Sequence, residues 1–220
     1  MNKASKSNKA QPRQAPSGSS GVTVFVVDDD DAMRESLDFL IKSVGLKVES
    51  FNSAEQFLEY YDPAMRGCLI LDVRMPGMSG LELQEHLRAE RIRIPIILLT
   101  AHADVPMAVR AMRGGAFDMI EKPCRDQVLL DRVRQAVDED ARARVDDRLV
   151  KESSDRIGCL SPREREVMEL VVAGMPNKQI ADALKISIKT VEVHRARVME
   201  KTGAQSLAEL VRMAMMVGIE

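Results

Sequence analysis

Two unlike folding patterns follow one another along this 220-residue sequence. Residues 22–137 predict an α/β domain, a doubly wound parallel five-stranded sheet, and residues 155–220 predict an all-α four-helix module. Three observations carry this. Five short apolar runs alternate with amphipathic stretches in the first part. Three of those runs are almost continuously apolar, as strands covered on both faces of a parallel sheet must be. The last part is punctuated by helix caps and helix stops.

The strands are VTVFVV (22–27), LKVESF (46–51), CLILDV (68–73), PIILLT (95–100) and FDMIE (117–121). Between them lie amphipathic stretches such as MRESLDFLIKSV and GLELQEHLRAE, so the crossovers are helical and right-handed. In the last part, Ser161-Pro162-Arg163-Glu164 offers a cap, an N1 proline and a capping-box Glu ahead of VMELVVAG. Asn177 is placed to cap KQIADALK, Ser187 to cap IKTVEVHRARVMEKTG, and Ser206 with Glu209 to open LVRMAMMVG. Gly174, Gly203 and Gly218 stand as C-terminal stops. Short helices with a tight connection at 185–187 suggest a helix-turn-helix arrangement.

Residues 138–154 read as a helical linker. Val133, Val137, Ala141, Val145 and Leu149 recur every four residues, and Asp138/Arg142, Asp140/Arg144 and Asp147/Lys151 form acid-before-base pairs. One continuous helix over about 126–152 accounts for this. A shorter helix followed by a flexible linker is the alternative, and the apolar stripe could also pair with a second chain.

Charge and cysteine usage exclude several classes. The net charge is only -2, which taken alone argues against a nucleic-acid partner. It conceals opposite regions: 22–140 holds 14 basic and 22 acidic residues, while 185–201 holds five basic and two acidic. Residues 1–21 hold four basic residues and no acid among many Ser, Gln and Pro, and read as a disordered basic tail. No apolar run approaches a membrane span and the start has no apolar centre, so no membrane partner is expected and the chain reads as cytoplasmic. Cys68, Cys124 and Cys159 are scattered, without the spacing of a zinc site or disulfide framework.

In an open α/β sheet, ligands bind beyond the carboxyl ends of the strands. Here those ends carry Asp28 and Asp29 after the first strand, Asp72 at the third, Thr100 at the fourth and Lys122 at the fifth. Three carboxylates converging there would repel one another unless a cation joined them. Mg²⁺, which takes one or two carboxylates and keeps several waters, suits this donor set better than zinc. A Lys and a hydroxyl beside it suit a phosphoryl group. Each piece alone is ordinary, since a DDDD run is commonly a solvated charge cluster. The ordered set is not.

The segments VFVVDDDD, LILDVRMPGMSGLEL, IILLTAHADVPMAVRAMRGGAFD and IEKP resemble the receiver domain of two-component response regulators, with its flavodoxin-like fold. LSPREREVMELVVAGMPNKQIADALKISIKTVEVHRARVMEKTGAQSLAELV resembles the LuxR-type helix-turn-helix domain. Together they resemble the NarL/FixJ family, closest to its FixJ-like branch. The resemblance implies that Asp72 is the phosphoacceptor for a sensor histidine kinase. Asp28, Asp29, Asp72 and the backbone carbonyl of Arg74 would hold Mg²⁺. Lys122, with a cis bond to Pro123, would bind a phosphoryl oxygen, and Thr100 would swing toward the phosphate. It implies a signalling regulator rather than an enzyme, with slow self-dephosphorylation at most, a homodimer on phosphorylation, and RNA polymerase as a downstream partner. Met119 departs from the pattern, standing where the family has an aromatic that moves with the threonine, and nearby Phe117 is expected on the opposite face. Arg74 and His102 would stand over the phosphoryl group or be ordinary loop residues. His86 reads as a solvated helix residue.

The helix over 188–201 would lie in the major groove of double-stranded DNA. Val191 and Val198 mark its core face. Glu192, Val193 and Ala196 are candidates for base contact, and Lys178, Lys189, Thr190, Arg195 and Arg197 for phosphate contact. His194 is expected to pack or meet backbone. Two rival readings are an aspartyl-phosphate hydrolase, whose D-x-D pattern is missing because Val73 and Arg74 follow Asp72, and an adaptor whose helical part binds protein.

Overall fold

The structure, a computed structural model, describes residues 21–219; the expected basic tail over 1–21 lies, except for Gly21, outside them. The chain forms two compact units that divide between Ala141 and Arg142. That boundary falls within a single 33-residue helix, α5 (Asp126–Gly158). The helix thus continues six residues past the expected end at 152, and the expected linker 138–154 is part of it.

In the first unit, β1 (Thr23–Val27), β2 (Lys47–Phe51), β3 (Gly67–Asp72), β4 (Ile96–Thr100) and β5 (Asp118–Glu121) form one sheet in the order β2-β1-β3-β4-β5. Every neighbouring pair is parallel. The strands match the apolar runs to within a residue. Alternation along each strand sends side chains to two layers. Phe25, Val27, Leu69, Leu71 and Leu98 pack on the side of α2 (Ala54–Tyr60), α3 (Gly80–Ala89) and α4 (Val105–Arg113), against Phe57, Leu83, Leu87 and Ala111. Val24, Val26, Ile70, Ile97 and Leu99 pack against Leu37 and Ile41 of α1 (Asp31–Ser43) and Leu129 and Val133 of α5. Each such side chain, fully buried, stabilises the fold by roughly 1.5–3 kcal/mol.

Phe117 packs in the α1/α5 layer and Met119 in the other, as expected. Two residues apart on a strand would share a face; the opposition arises because β5 begins only at Asp118.

The second unit adds to the end of α5 the helices α6 (Pro162–Val172), α7 (Asn177–Leu184), α8 (Ile188–Thr202) and α9 (Leu207–Met216). Their core gathers Ile157, Val167, Met168, Ile180, Val191, Val198, Leu210 and Met213. Lys185, in the left-handed conformation (φ 54°), ends α7, and Ser187 caps α8 two residues later by accepting from Thr190 N at 3.1 Å. Gly174, Gly203 and Gly218 lie just past helix ends, each with positive φ. Two caps differ from expectation. Asn177 does not cap α7, whose cap position is Pro176 and has no side-chain bond; the Asn177 Oδ1 instead accepts from Arg195 Nη1 at 2.9 Å. Ser206 accepts from Glu209 N, but the Glu209 carboxylate reaches back to Gln205 N rather than to Ser206 N.

The Ser161–Glu164 capping box is complete, and the almost fully buried Glu164 carboxylate also accepts from Lys201 Nζ at 2.6 Å. That bond ties the start of α6 to the end of α8. Lys201, together with the Ser161 backbone N–H, holds the Glu164 carboxyl down at about 2, below its ordinary 4.5. A lowered folded-state value means the contribution is complete above the unfolded value and is lost as pH falls. Helix content followed by circular dichroism should therefore show wild-type stability declining from about pH 4.5 toward pH 2. Glu164→Gln should be less stable near neutrality and decline less steeply across that interval, where Glu55 and Glu82, also lowered by hydrogen bonds, still titrate. Parallel acid limbs for the two proteins would contradict this.

Candidate functional site

Strand order reverses direction between β1 and β3, and the carboxyl ends of β1, β3, β4 and β5 meet along one edge. Asp28 directly follows β1, Asp72 ends β3, Thr100 ends β4, and Lys122 follows β5. Lys122 Nζ lies 2.7 Å from Asp28 Oδ2 and 2.6 Å from Asp72 Oδ1, so one ammonium bridges both carboxylates. Their side chains are 3% and 10% exposed. The remaining oxygens are also engaged: Asp30 N donates to Asp28 Oδ1 at 2.9 Å and Arg74 N to Asp72 Oδ2 at 2.7 Å. The Lys122–Pro123 bond is cis.

Two like charges at this spacing would separate without the ammonium between them. Burial pushes the Asp72 carboxyl above its ordinary value, an effect that the bond to Lys122 opposes. Burial pulls the Lys122 ammonium down, but its bonds to Asp28 and Asp72 outweigh that and hold it above its ordinary value.

The acidic run divides its work. Only Asp28 turns into the site. Asp30 is the cap of α1, accepting from Ala32 N and Met33 N, and Asp31 pairs with Arg34. Asp29 is exposed, and among the described residues no three acidic, His or Cys side chains are gathered closely enough to hold a metal. In place of the three expected converging carboxylates, two are gathered here, Asp28 and Asp72, with Asp29 exposed next to Asp28 in sequence. Two carboxylates still fit Mg²⁺, which completes its shell with water and phosphate oxygens. Asp28 and Asp72 are the side chains that would hold it.

Thr100 is 1% exposed, and its hydroxyl is turned to the loop that follows it. It donates to His102 O at 3.0 Å, accepts from His102 N at 3.2 Å, and lies 3.9 Å from the Met107 sulfur on α4. His102 therefore enters through its backbone, and its side chain is exposed, as are those of Arg74 and His86.

Three residues that sequence reasoning passed over also shape the site. Arg34 donates to the Asp28 carbonyl at 2.6 Å, fixing the turn after β1. Met107 joins α4 to Thr100. Gly80 opens α3 so close to β3 that a Cβ there would stand 2.2 Å from the Asp72 carbonyl oxygen. The signal for Gly80 was present in GMSGLEL, where a glycine heads a helix pattern right after the strand.

In the second unit, Lys189, Glu192, Val193, Ala196 and Arg197 share one exposed face of α8, at helical spacing, and Lys178 is exposed on α7. Thr190 is half-buried, its hydroxyl 2.8 Å from that of Ser187. Arg195 differs from the exposed set. It lies on the side of Val191 and Val198, half-buried and bonded to Asn177. His194 is half-buried, and its Nδ1 has no partner among the described residues.

This edge of acids, lysine and threonine on a five-stranded parallel sheet, followed by a helix-turn-helix unit, defines a receiver joined in sequence to a DNA-binding domain. Comparison with known proteins agrees. The family profile "Response regulator receiver domain" matches residues 24–134, and "Bacterial regulatory proteins, luxR family" matches residues 159–214. The chain belongs to the NarL/FixJ family of two-component response regulators, which control transcription. Nodulation protein W of Bradyrhizobium diazoefficiens is 49% identical over 89% of this chain and 86% of its own length. The solved response regulator StyR is 45% identical, with a TM-score of 0.79 over 89% of this chain and 99% of that one. Full-length FixJ from B. japonicum is 43% identical, with a TM-score of 0.56 over 92% of this chain and all of that one.

Proposed function

We propose that Asp72 accepts a phosphoryl group from a sensor histidine kinase and that the acyl phosphate drives pairing of two chains on DNA. The observation that carries this reading is the Lys122 ammonium bridging the buried Asp28 and Asp72 at the carboxyl edge of the sheet. An Asp72 oxygen attacks phosphorus, the P–N bond of the phosphohistidine breaks, and the imidazole leaves with a proton. Mg²⁺ held by Asp28 and Asp72, with Asp29 and the Arg74 carbonyl beside them, would neutralise charge on the transferring oxygens. Lys122 then follows the new negative charge onto a phosphoryl oxygen.

The added charge of about two units gives Thr100 a new acceptor. To reach it, the hydroxyl must leave both His102 groups and Met107, which frees the loop and the start of α4. Val105, Val109 and Met112 form an exposed apolar stripe on that helix, suited to a second copy. We expect Thr100→Val to accept phosphate from acetyl phosphate at a near-normal rate while losing phosphate-dependent dimerisation in sedimentation. Unchanged dimerisation would remove Thr100 from the switch.

On DNA, Lys178, Lys189, Thr190 and Arg197 are assigned to phosphates, and Glu192, Val193 and Ala196 to base edges. Arg195, turned inward, holds α7 and α8 together and supports the reading helix from behind. Two copies suit half-sites one helical turn or a multiple apart, with RNA polymerase as the partner in transcription and the cytoplasm as the setting. An electrophoretic shift with promoter DNA, with and without acetyl phosphate, tests the whole reading; DNA binding indifferent to acetyl phosphate would reject it. Lys189→Ala or Arg197→Ala should weaken binding on all sequences alike and reduce the salt slope by about 1, whereas Glu192→Ala should relax preference at one base position.

A further inference from the structure

The helical unit contains a cavity of about 140 Å³ between α6, α8 and α9. Val167, Met168 and Val171 form its α6 wall, Val198 its α8 wall and Leu210 its floor on α9. All five are buried, so the space reaches into the core of the unit. Native interiors hold few voids larger than a water molecule. This one approaches the roughly 150 Å³ apolar cavity that stays dry and takes up benzene. Leu207, 47% exposed, also lines it and marks where it opens to solvent.

Arg195 is the one polar side chain in the lining. Water inside would need two to four polar partners, and a single guanidinium supplies donors only. The cation itself has a neutral partner rather than a charged one, and its remaining N–H groups are open to solvent or to a ligand. It is half-buried, its bonded partner is the neutral Asn177 amide oxygen, and among the described residues no carboxylate pairs with it. A guanidinium has five N–H donors in a planar fork suited to a carboxylate. An apolar space of ring size, with a half-buried guanidinium in its wall whose bonded partner is a neutral amide, fits one ligand chemistry.

We propose that this cavity is a ligand site for a small carboxylic acid whose ring-sized apolar body fills the space between α6, α8 and α9 and whose carboxylate lies on Arg195. Because Arg195 also holds Asn177 at the start of α7, the carboxylate competes with that bond and reaches the angle between α7 and α8. The helical unit then has a chemical input of its own, separate from Asp72. The proposal rests on the cavity and on Arg195, and it can be read without DNA or phosphate.

The probe is benzoate, titrated into the methyl-labelled full chain and followed by nuclear magnetic resonance, with toluene as the neutral body and acetate as the bare head. The expected result is saturable binding of benzoate, with Overhauser contacts from its ring to the methyls of Val167, Val171 and Leu210. Leu207→Phe narrows the mouth and Val171→Ile fills the interior; each should weaken benzoate, and either suffices should the other fail to fold. Arg195→Gln should weaken benzoate about tenfold, the size of one lost charge-assisted bond, and leave toluene unchanged. Absence of saturable benzoate binding, binding indifferent to both filling variants, equal effects of Arg195→Gln on benzoate and toluene, or acetate matching benzoate would each overturn the proposal.

Discussion

Asp72→Asn should give no phosphoryl label from acetyl phosphate, and its DNA affinity should be the same with and without that donor. The substitution keeps the shape and the capacity to accept from Arg74 N, but an amide oxygen is not a nucleophile toward phosphorus. No neighbouring carboxylate can take over. Asp28 is more deeply buried with both its oxygens already bonded, and Asp29 is exposed, away from the Lys122 bridge. The folded state should not suffer, because removing one of two carboxylates relieves their repulsion and leaves Lys122 paired with Asp28. Lys122→Ala makes the opposite expectation and serves as the control. It strands Asp28 and Asp72 without a counter-charge, which for a largely buried pair costs on the order of 3 kcal/mol. Added Mg²⁺ should raise the melting temperature of Lys122→Ala more than that of the wild type, since the two carboxylates would then lack any other cation. Label on Asp72→Asn, or a Lys122→Ala chain as stable as wild type without Mg²⁺, would contradict the assigned roles.

Much of this was legible from residue order because parallel strands write themselves as apolar runs, and a doubly wound sheet places whatever follows them on one edge. Asp72, Thr100 and Lys122 are found that way, with no distances needed. The division of labour inside DDDD was not legible. Which carboxylate turns inward depends on where α1 starts, and that start is set by Asp30 accepting two backbone N–H groups. Arg195 was hidden for a related reason: among the basic residues of α8 its type is ordinary, and only its register with Val191 and Val198 puts it on the core side. That register is visible in the sequence, three and four residues from the valines, but a basic side chain in a basic helix carries the same signature whether it faces DNA or the core. Asn177 shows the limit of cap signals. It had a cap's residue type at a helix start, yet the guanidinium of Arg195, brought in by the tertiary packing of α8, is the partner it has. Met107 could not be assigned beforehand, since a sulfur near a hydroxyl has no sequence signature.

Gly67→Ala should be the most damaging single-methyl change in the receiver. Gly67 opens β3 opposite Thr23 of β1, with φ of 139°, a region L side chains rarely enter. A Cβ there would stand 1.7 Å from the Thr23 carbonyl oxygen and 2.7 Å from its carbon, both backbone atoms that cannot rotate away. Turning φ to an ordinary value would instead pull Gly67 N from the buried Asp140 carboxylate, to which it donates at 3.0 Å. Either route moves β3 away from β1 at its first rung, and β3 delivers Asp72 five residues later. A cost of at least about 3 kcal/mol is expected from strain and lost pairing together. Gly45 separates backbone strain from the clash: its φ is 79°, but a Cβ there meets nothing within 4 Å, so Gly45→Ala should cost only about 1 kcal/mol. The chain has no Trp, and both tyrosines, Tyr60 and Tyr61, lie in the receiver. Tyrosine fluorescence in urea therefore reports that domain alone. A Gly67→Ala midpoint close to that of Gly45→Ala would show that the β1–β3 rung yields, and that the methyl group is accommodated where the geometry leaves it no room.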